Sequence, residues 1–349
     1  MKNKTIKLRV IKNYIKDNVK LYWLCIIFLN FFSLIFHIPQ RIKILLRKKK
    51  ENKFNYFIKN NHNGIVAPYH IPFLIKIKPY VKKKCVLEIG GSCFPKKLLF
   101  NILKVNKWIC VDYLENWAKG FEAATMSMEK LLNSTNKTNE FSVFSLNNSV
   151  NTFNSNNYIK FHGDASYISD IFYEKFDIVV SINAFEHILT LPLVINNIYN
   201  CLKKGGKLIT EFGPIWSSAL GHHYQGGNFN GVTMGYDIQF NNISKDGVPP
   251  FIHLLKNEYE IREYFKHNDL PYGQDQVDCL CNWCFHSNLI NRLFYEDYEQ
   301  IMLNSPFKKY TISSSWNIFP TEEILKKLNI KYPNNNNFEV CSIMIFAEK

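Results

Sequence analysis

The feature that most constrains the fold is a short apolar run that breaks into a glycine turn, within residues 84–95 (KCVLEIGGSCFP). The run carries one acid, Glu88, and ends at Gly90-Gly91. Pro95 then opens a segment typical of a helix, because proline is favoured in the first helical turn. Glycine permits backbone angles and close approaches that a Cβ would block. The pattern predicts a strand, a tight turn and a helix, and doubly wound sheets hold nucleotide-like ligands at such turns.

The net charge of +14 is concentrated near the N-terminus. Residues 1–53 hold 14 Lys or Arg and two acids, whereas the remaining 296 residues hold 29 basic and 27 acidic side chains. A nucleic-acid-binding protein would carry positive charge on its folded domain as well, so we expect no nucleic-acid partner. The nine cysteines are scattered rather than spaced as a disulfide framework, which predicts a reducing, cytoplasmic location.

Residues 1–53 form a basic and apolar arm that is open to three interpretations. Leu21 to Gln40 contains no Asp, Glu, Lys or Arg, and this length is sufficient for a membrane span. Basic residues flank both ends, which is also typical of a helix that lies in a membrane interface. The third interpretation is an apolar helix docked on the folded body of the chain. A membrane surface is therefore one expected partner, through residues 1–50.

Strand-like and helix-like segments alternate from residue 84 onward, which predicts an α/β fold with a doubly wound, mostly parallel sheet of seven strands. The predicted strands are 86–89, 107–112, 158–161, 176–182, 207–211, 310–319 and 338–348. Two segments interrupt the alternation: an Asn- and Ser-rich loop insertion at 133–157 and a helical cap at about 225–308. We assign all of these to one domain over residues 54–349.

Polar side chains stand at the carboxyl ends of four of the strands: Glu88, Asp112, Asp164 and Asn183. The carboxyl ends of parallel strands meet at one crevice, so these groups are expected to line one ligand site. Asp112 lies 22 residues beyond Gly90, near the spacing at which an acid receives ribose hydroxyls. A dinucleotide would need further glycines for its pyrophosphate, where this chain has Ser92. S-Adenosylmethionine (SAM) has ribose and adenine but no phosphate, and Glu88 can help to hold its charged methionine part.

The order of the motifs resembles that of class I SAM-dependent methyltransferases, especially the type 11 branch. The motifs are VLEIGGS, CVDY, GDAS, FDIVVSINAFEHI and LKKGGKLI, between residues 86 and 209. The resemblance implies a role for each cofactor-binding residue. Glu88, Gly90 and Gly91 would bind the methionine part of SAM, and Asp112 would bind the ribose. Asp164 with Ala165 would bind the adenine, and Asn183 would lie near the sulfonium. Ser92 stands at the family's second glycine and is counted with them. This departure implies a differently shaped turn.

Three histidines are candidate catalytic bases, because a hydroxyl acceptor benefits from a base and histidine titrates near neutral pH. His222 and His223 follow the fifth strand on the loop GPIWSSALGHHY, and His187 is the other candidate. For each of them the alternative is a hydrogen-bonded structural histidine. The loop resembles a segment of surface-polysaccharide and sugar-modifying methyltransferases, which implies a sugar hydroxyl or a glycolipid precursor as the acceptor.

Other functions remain as alternatives. One is an NAD-dependent sugar-modifying oxidoreductase, and another is a non-catalytic SAM-fold protein tethered to a membrane. The segment Cys279–His286 offers three thiols and one imidazole to zinc. However, eight residues cannot easily wrap a tetrahedral ion, and the usual second Cys-x-x-Cys arm is absent, so the sequence assigns no metal ligands.

Overall fold

The computed structural model describes residues 70–90, 94, 96–113, 143–145, 156–223, 248–267 and 274–349, together with four two-residue strands between 228 and 243. The predicted arm, with its apolar segment 21–40, lies outside these residues, as do Gly91 and Ser92. Membrane association of the arm therefore stays a prediction. Within the described part of the chain, no helix is both long and apolar enough to cross a membrane.

One sheet of eight strands forms the centre of the fold. Its strands are β1 (Cys85–Ile89), β2 (Lys107–Asp112), β3 (Val143–Ser145), β4 (Tyr158–His162), β5 (Phe176–Ile182), β6 (Leu202–Phe212), β11 (Lys309–Asn317) and β12 (Val340–Glu348). Two small ribbons follow β6, made of β7 (Asn228–Phe229) with β8 (Val232–Thr233) and of β9 (Ile238–Gln239) with β10 (Asn242–Ile243).

Helices occupy most of the chain between the strands. They are α1 (His70–Val81), α2 (Lys97–Leu103), α3 (Ile168–Phe172), α4 (Leu191–Cys201), α5 (Ile252–Leu255), α6 (Glu258–His267), α7 (Gln274–Cys281), α8 (Asn282–His286), α9 (Tyr295–Leu303) and α10 (Glu322–Lys331). Helices α2 and α8 have π-helical turns, and single 3₁₀ turns form at Ala165–Tyr167 and Phe185–His187.

The strand order is β11-β12-β6-β5-β1-β2-β4-β3, and β12 runs antiparallel to both of its neighbours. From β1 the chain builds outward through β2 and β4 on one side, then through β5 and β6 on the other. The order therefore reverses at β1, and the crevice outside its carboxyl end is where such sheets bind ligands. The predicted doubly wound, mostly parallel sheet is confirmed.

The edge strand β3 is an addition to the seven predicted strands. Val143–Ser145 pairs parallel with β4, although this segment was predicted to belong to a loop insertion. The segment is therefore not a loop throughout, and the insertion itself stays a prediction because most of residues 133–157 lie outside the described part of the chain. Three residues are too few to show the two-residue alternation that marks a strand in a sequence.

The main core lies where α4 covers the centre of the sheet. Phe176 and Val179 of β5 belong to one buried cluster with Leu191, Val194 and Ile198 of α4. The α4 residues recur every three or four positions, which places them on one helical face. A second buried cluster joins the loop after β6 to the helices of residues 248–286, through Trp216, Leu220, Phe251, Leu254, Ile261 and Leu280.

Candidate functional site

The turns after β1 and β5 touch at the carboxyl edge of the sheet. Gly90 has a φ of +85°, and a Cβ built on it would lie 2.5 Å from the Cβ of Ala184. The Gly90 N–H donates to the carbonyl of Val111 at 2.9 Å, which ties this turn to β2. Asn183, with a φ of 47°, donates its N–H to the carbonyl of Glu211 at 3.0 Å. The turns after β1 and β5 therefore meet at the carboxyl edge of the sheet, and each is bonded to the strand beside it.

Glu88 is a buried acid held by a tryptophan. Its side chain is 2% exposed, and the indole Nε1–H of Trp108 donates to Oε2 at 2.8 Å. Trp108 was not among the sequence candidates, because an indole in an apolar strand is usually only a packing residue. In the structure it supplies a hydrogen bond to the one acid inside β1.

Replacing Trp108 by Phe removes this donor while keeping an aromatic ring in the core. A hydrogen bond to a charged group contributes about 1.5–3 kcal/mol, so we expect the free energy of unfolding to fall by about 3 kcal/mol. Urea unfolding measures this change. The matched control is Trp316→Phe on β11, where the side chain is 44% exposed and the expected change is below about 0.5 kcal/mol. Equal losses in the two variants would contradict a role for the indole–carboxylate bond.

Two further acids stand at the ends of β2 and β4, which are adjacent in the sheet. Asp112 is 9% exposed, and its Oδ2 lies 3.7 Å from the ammonium nitrogen of Lys160. Asp164 is exposed and caps the following turn, since its Oδ1 accepts from the Ser166 N–H at 2.8 Å. The rings of Tyr113 and His162 stack beside these acids at 5.5 Å.

The paired histidines of the loop after β6 point in different directions. His222 is buried with its ring centroid 5.7 Å from that of His253, and burial holds the pKa of His222 well below its usual range. His223 has a φ of 52°, and its ring centroid lies 4.9 Å from that of His187. Burial lowers the pKa of His223 to about 3, so this imidazole is neutral at pH 7. Of the three candidate bases, His187 and His223 are brought together and His222 is turned elsewhere.

Glu186 joins these two histidines and was not among the sequence candidates. Its side chain is 1% exposed, and burial raises its pKa to about 8. Its Oε1 accepts from the Gly213 N–H at 3.0 Å and lies 4.0 Å from Nε2 of His187. Nothing in the sequence shows that this acid is buried, because it follows the end of a predicted strand, where acids are usually solvated.

A segment from the helical region holds the turn that carries Glu186 and His187. The carbonyl of Leu289 accepts from Nδ1 of His187 at 2.6 Å. Asn291 donates its backbone N–H to the carbonyl of Glu186 at 3.0 Å and its side-chain amide to the carbonyl of Phe185 at 2.7 Å. These bonds span about a hundred residues of sequence, which is why no local pattern could reveal them.

The cysteines of the segment Cys279–His286 are placed for packing. Cys281 and Cys284 are buried at the junction of α7 and α8, and burial raises the pKa of the Cys281 thiol to about 11. Nε2 of His286 instead lies 2.7 Å from a carboxylate oxygen of Glu258. Among the described side chains, the convergence expected of metal ligands occurs in a different cluster, formed by Glu186, His187 and His223.

The position of β12 decides the fold. An antiparallel last strand enters between β6 and β11 of an otherwise parallel sheet. The chain has the Rossmann-like class I methyltransferase fold. The type 11 methyltransferase family, described as a methyltransferase domain, matches residues 140–210, a range that includes Asp164, Asn183 and His187. SAM is the cofactor that this domain and fold imply.

Solved methyltransferase structures are similar to the chain at low identity. A SAM-dependent methyltransferase from Mesorhizobium loti is 11% identical, with 82% of this chain and 100% of that chain covered and a TM-score of 0.41. A SAM-dependent methyltransferase from Thermotoga maritima is 13% identical, with 85% and 95% covered and a TM-score of 0.38. Because the identities and TM-scores are this low, the fold assignment rests on the strand order and the domain match alone. No curated protein matches the sequence.

Proposed function

We propose that the chain transfers a methyl group from SAM to a small-molecule hydroxyl, with a sugar or glycolipid precursor as the acceptor class. The match of a methyltransferase domain to residues 140–210 carries this proposal. The matched range runs through β4 and β5 into β6, and it includes the turns in which Asp164 and His187 stand. The acceptor class is supported by the loop of residues 213–224, which resembles that of sugar-modifying methyltransferases.

The residues at the sheet edge suit SAM in two respects. Gly90 lets the β1 turn pack closely against the β5 turn, where a Cβ would strike Ala184, and this holds the turn assigned to the methionine part beside that of Asn183. Asp164 presents an exposed carboxylate beside the stacked rings of Tyr113 and His162. We assign the methionine part to the β1 turn (Glu88, Gly90, Gly91 and Ser92), ribose to Asp112, adenine to Asp164 with Ala165, and the sulfonium region to Asn183.

The chemistry needs positioning and removal of one proton. The sulfonium of SAM supplies an activated methyl group, so an in-line approach of the acceptor supplies much of the rate. The acceptor oxygen forms a bond to the methyl carbon while the carbon–sulfur bond breaks, and that electron pair stays on sulfur. The base that we propose for the hydroxyl proton is His187 or His223, which converge next to the β5 turn.

Calorimetric titration with S-adenosylhomocysteine tests the cofactor assignment. We expect one site in the wild type and about 10-fold weaker binding in Asp112→Asn and in Asp164→Asn, which is about 1.4 kcal/mol. Asparagine caps a helix as well as aspartate does, so the second variant keeps the turn that Asp164 caps. The matched control is Asp170→Asn, which changes an exposed acid on α3. Its affinity should stay within about 2-fold of the wild type, because substitutions at exposed sites have small effects.

Three outcomes would contradict the proposal. The first is a wild type that does not bind S-adenosylhomocysteine, which would leave a non-catalytic domain of the same fold. The second is binding of NAD in its place, which would favour the oxidoreductase alternative. The third is equal affinity in all three variants, which would move the cofactor away from the ends of β2 and β4.

A further inference from the structure

Three ligating side chains converge beside the β5 turn. The ligand atoms of Glu186, His187 and His223 all lie within 4.8 Å of one another. Two of these residues are neighbours in the 3₁₀ turn after β5, and the third ends the described part of the loop after β6. The cluster is therefore built from two loops at the carboxyl edge of the sheet, where this fold places its reactions.

Hydrogen bonds to the backbone fix which atom each side chain offers. Nδ1 of His187 faces the carbonyl of Leu289 at 2.6 Å, and Nδ1 of His223 faces the carbonyl of Gly221 at 3.0 Å. A carbonyl only accepts, so each Nδ1 carries the hydrogen and each neutral ring offers the Nε2 lone pair. Oε1 of Glu186 accepts from the Gly213 N–H, which leaves Oε2 as the atom available to a ligand.

Two of the offered atoms are buried and have no hydrogen-bond partner among the described residues. These atoms are Oε2 of Glu186, on a residue 1% exposed, and Nε2 of His223, on a residue 4% exposed. Buried polar atoms are normally satisfied, so each exception needs an explanation. With the carboxylate ionised, these atoms are all acceptors, and a cation that displaces the Glu186 proton would satisfy them together.

We propose that Glu186, His187 and His223 bind one divalent transition-metal ion. One carboxylate oxygen and two imidazole nitrogens suit Zn²⁺, Mn²⁺ or Fe²⁺, whereas Mg²⁺ and Ca²⁺ favour oxygen ligands. Ligand atoms around a tetrahedral ion with bonds of about 2.1 Å are roughly 3.4 Å apart, so the three side chains must close by about 1 Å. Three protein ligands leave a position open, and the side chain of His187, which is 38% exposed, gives access from solvent.

The position of the ion gives it a role in methyl transfer. This part of the inference rests on the proposed function. Ala184, two residues before Glu186, touches the turn of Gly90 in the cofactor crevice. An acceptor hydroxyl at the open position would have its pKa lowered by the ion, as a metal lowers the pKa of bound water. With both imidazoles bound to the ion, its proton would pass to solvent rather than to a histidine, and its oxygen would attack the methyl carbon as the carbon–sulfur bond breaks.

Metal binding by the full chain tests the site directly. Mn²⁺ is the main probe, because it binds oxygen and nitrogen ligands in preference to the thiols of this cysteine-containing chain. Electron paramagnetic resonance should show one Mn²⁺ bound in the wild type and displaced by Zn²⁺, with Mg²⁺ competing poorly. Glu186→Gln and His223→Gln should each weaken Mn²⁺ binding by at least about 30-fold, because even indirect partners of a metal site cost 10- to 100-fold.

The matched control is His253→Gln, which removes a buried imidazole outside the cluster. His253 is 3% exposed and bonds the carbonyl of Trp216 at 2.8 Å, so this variant reports the cost of losing a buried histidine without a cluster ligand. It should bind Mn²⁺ as the wild type does. Circular dichroism of every variant shows whether weak metal binding comes from the missing ligand or from a protein that does not fold. If a cluster variant does not fold, His187→Gln takes its place, because the His187 side chain is partly exposed.

The outcomes separate this inference from the proposed function. A wild type without a 1:1 Mn²⁺ or Zn²⁺ site, or cluster variants that bind like His253→Gln, would overturn the metal site. Binding of S-adenosylhomocysteine by the same samples would then leave the methyltransferase proposal standing. Conversely, metal bound by a chain that does not bind S-adenosylhomocysteine would keep the site and remove its role in methyl transfer.

Discussion

Gly90→Ala is expected to weaken S-adenosylhomocysteine binding by about 100-fold, since small displacements of positioning groups have effects of this size. Two separate costs apply at this residue. A φ of +85° is strained for any residue with a Cβ, by about 1–2 kcal/mol. The added methyl group would also lie 2.5 Å from the Cβ of Ala184, so the β1 and β5 turns must separate. Overpacking of this kind costs about 1–3 kcal/mol, and we expect the free energy of unfolding to fall by about 3 kcal/mol in total.

Two further variants isolate the close approach of the turns from the backbone strain. Gly205→Ala has a similar φ of +76° but meets no heavy atom within 4 Å, so it should lose only about 1 kcal/mol and bind S-adenosylhomocysteine normally. Gly90→Ala combined with Ala184→Gly removes the colliding methyl group and should recover part of the binding. Calorimetry and urea unfolding measure both quantities. If Gly90→Ala behaves like Gly205→Ala, the contact with Ala184 does not shape the site.

Local patterns were sufficient to predict most of the sheet. The boundaries of β5 agree with the prediction at Phe176–Ile182, because a strand that is buried on both faces has a continuous apolar sequence. Gly90 after β1 likewise marks a turn that the structure places at the reversal of strand order. The strand at Val143–Ser145 was missed because its pairing with β4 depends on a neighbour in space rather than on its own three residues.

The candidate site was less accessible to sequence reasoning than the fold. His222 and His223 are chemically identical neighbours, and only the path of the loop turns one toward His253 and the other toward His187. Glu186 becomes a site residue because it is buried and because Gly213 and Asn291 bond to it. Burial and long-range bonds are properties of the tertiary structure, so residue type and spacing could indicate the region but not this carboxylate.

Gly221→Ala is expected to lower the free energy of unfolding by about 3 kcal/mol, at the upper end of the cost of overpacking. A Cβ at this position would lie 2.1 Å from the carbonyl oxygen of Trp216 and 2.7 Å from that of Ile215. These are backbone atoms in a buried loop, where His253 bonds the Trp216 carbonyl at 2.8 Å and the Ser218 N–H donates to the Ile215 carbonyl at 3.1 Å. The loop must therefore change its path, and the carbonyl of Gly221 that orients the His223 ring would move with it.

Ser217→Ala in the same loop is the matched control for this prediction. The Ser217 hydroxyl is buried and, within the described part of the chain, has no hydrogen-bond partner. Removing an unsatisfied buried group is neutral or slightly stabilising, so urea unfolding of Ser217→Ala should differ from the wild type by less than about 0.5 kcal/mol. A chain in which Gly221→Ala unfolds like Ser217→Ala would have a loop that yields easily. Such a loop could not hold His223 against His187, and Mn²⁺ binding would then be as weak in the wild type as in His223→Gln.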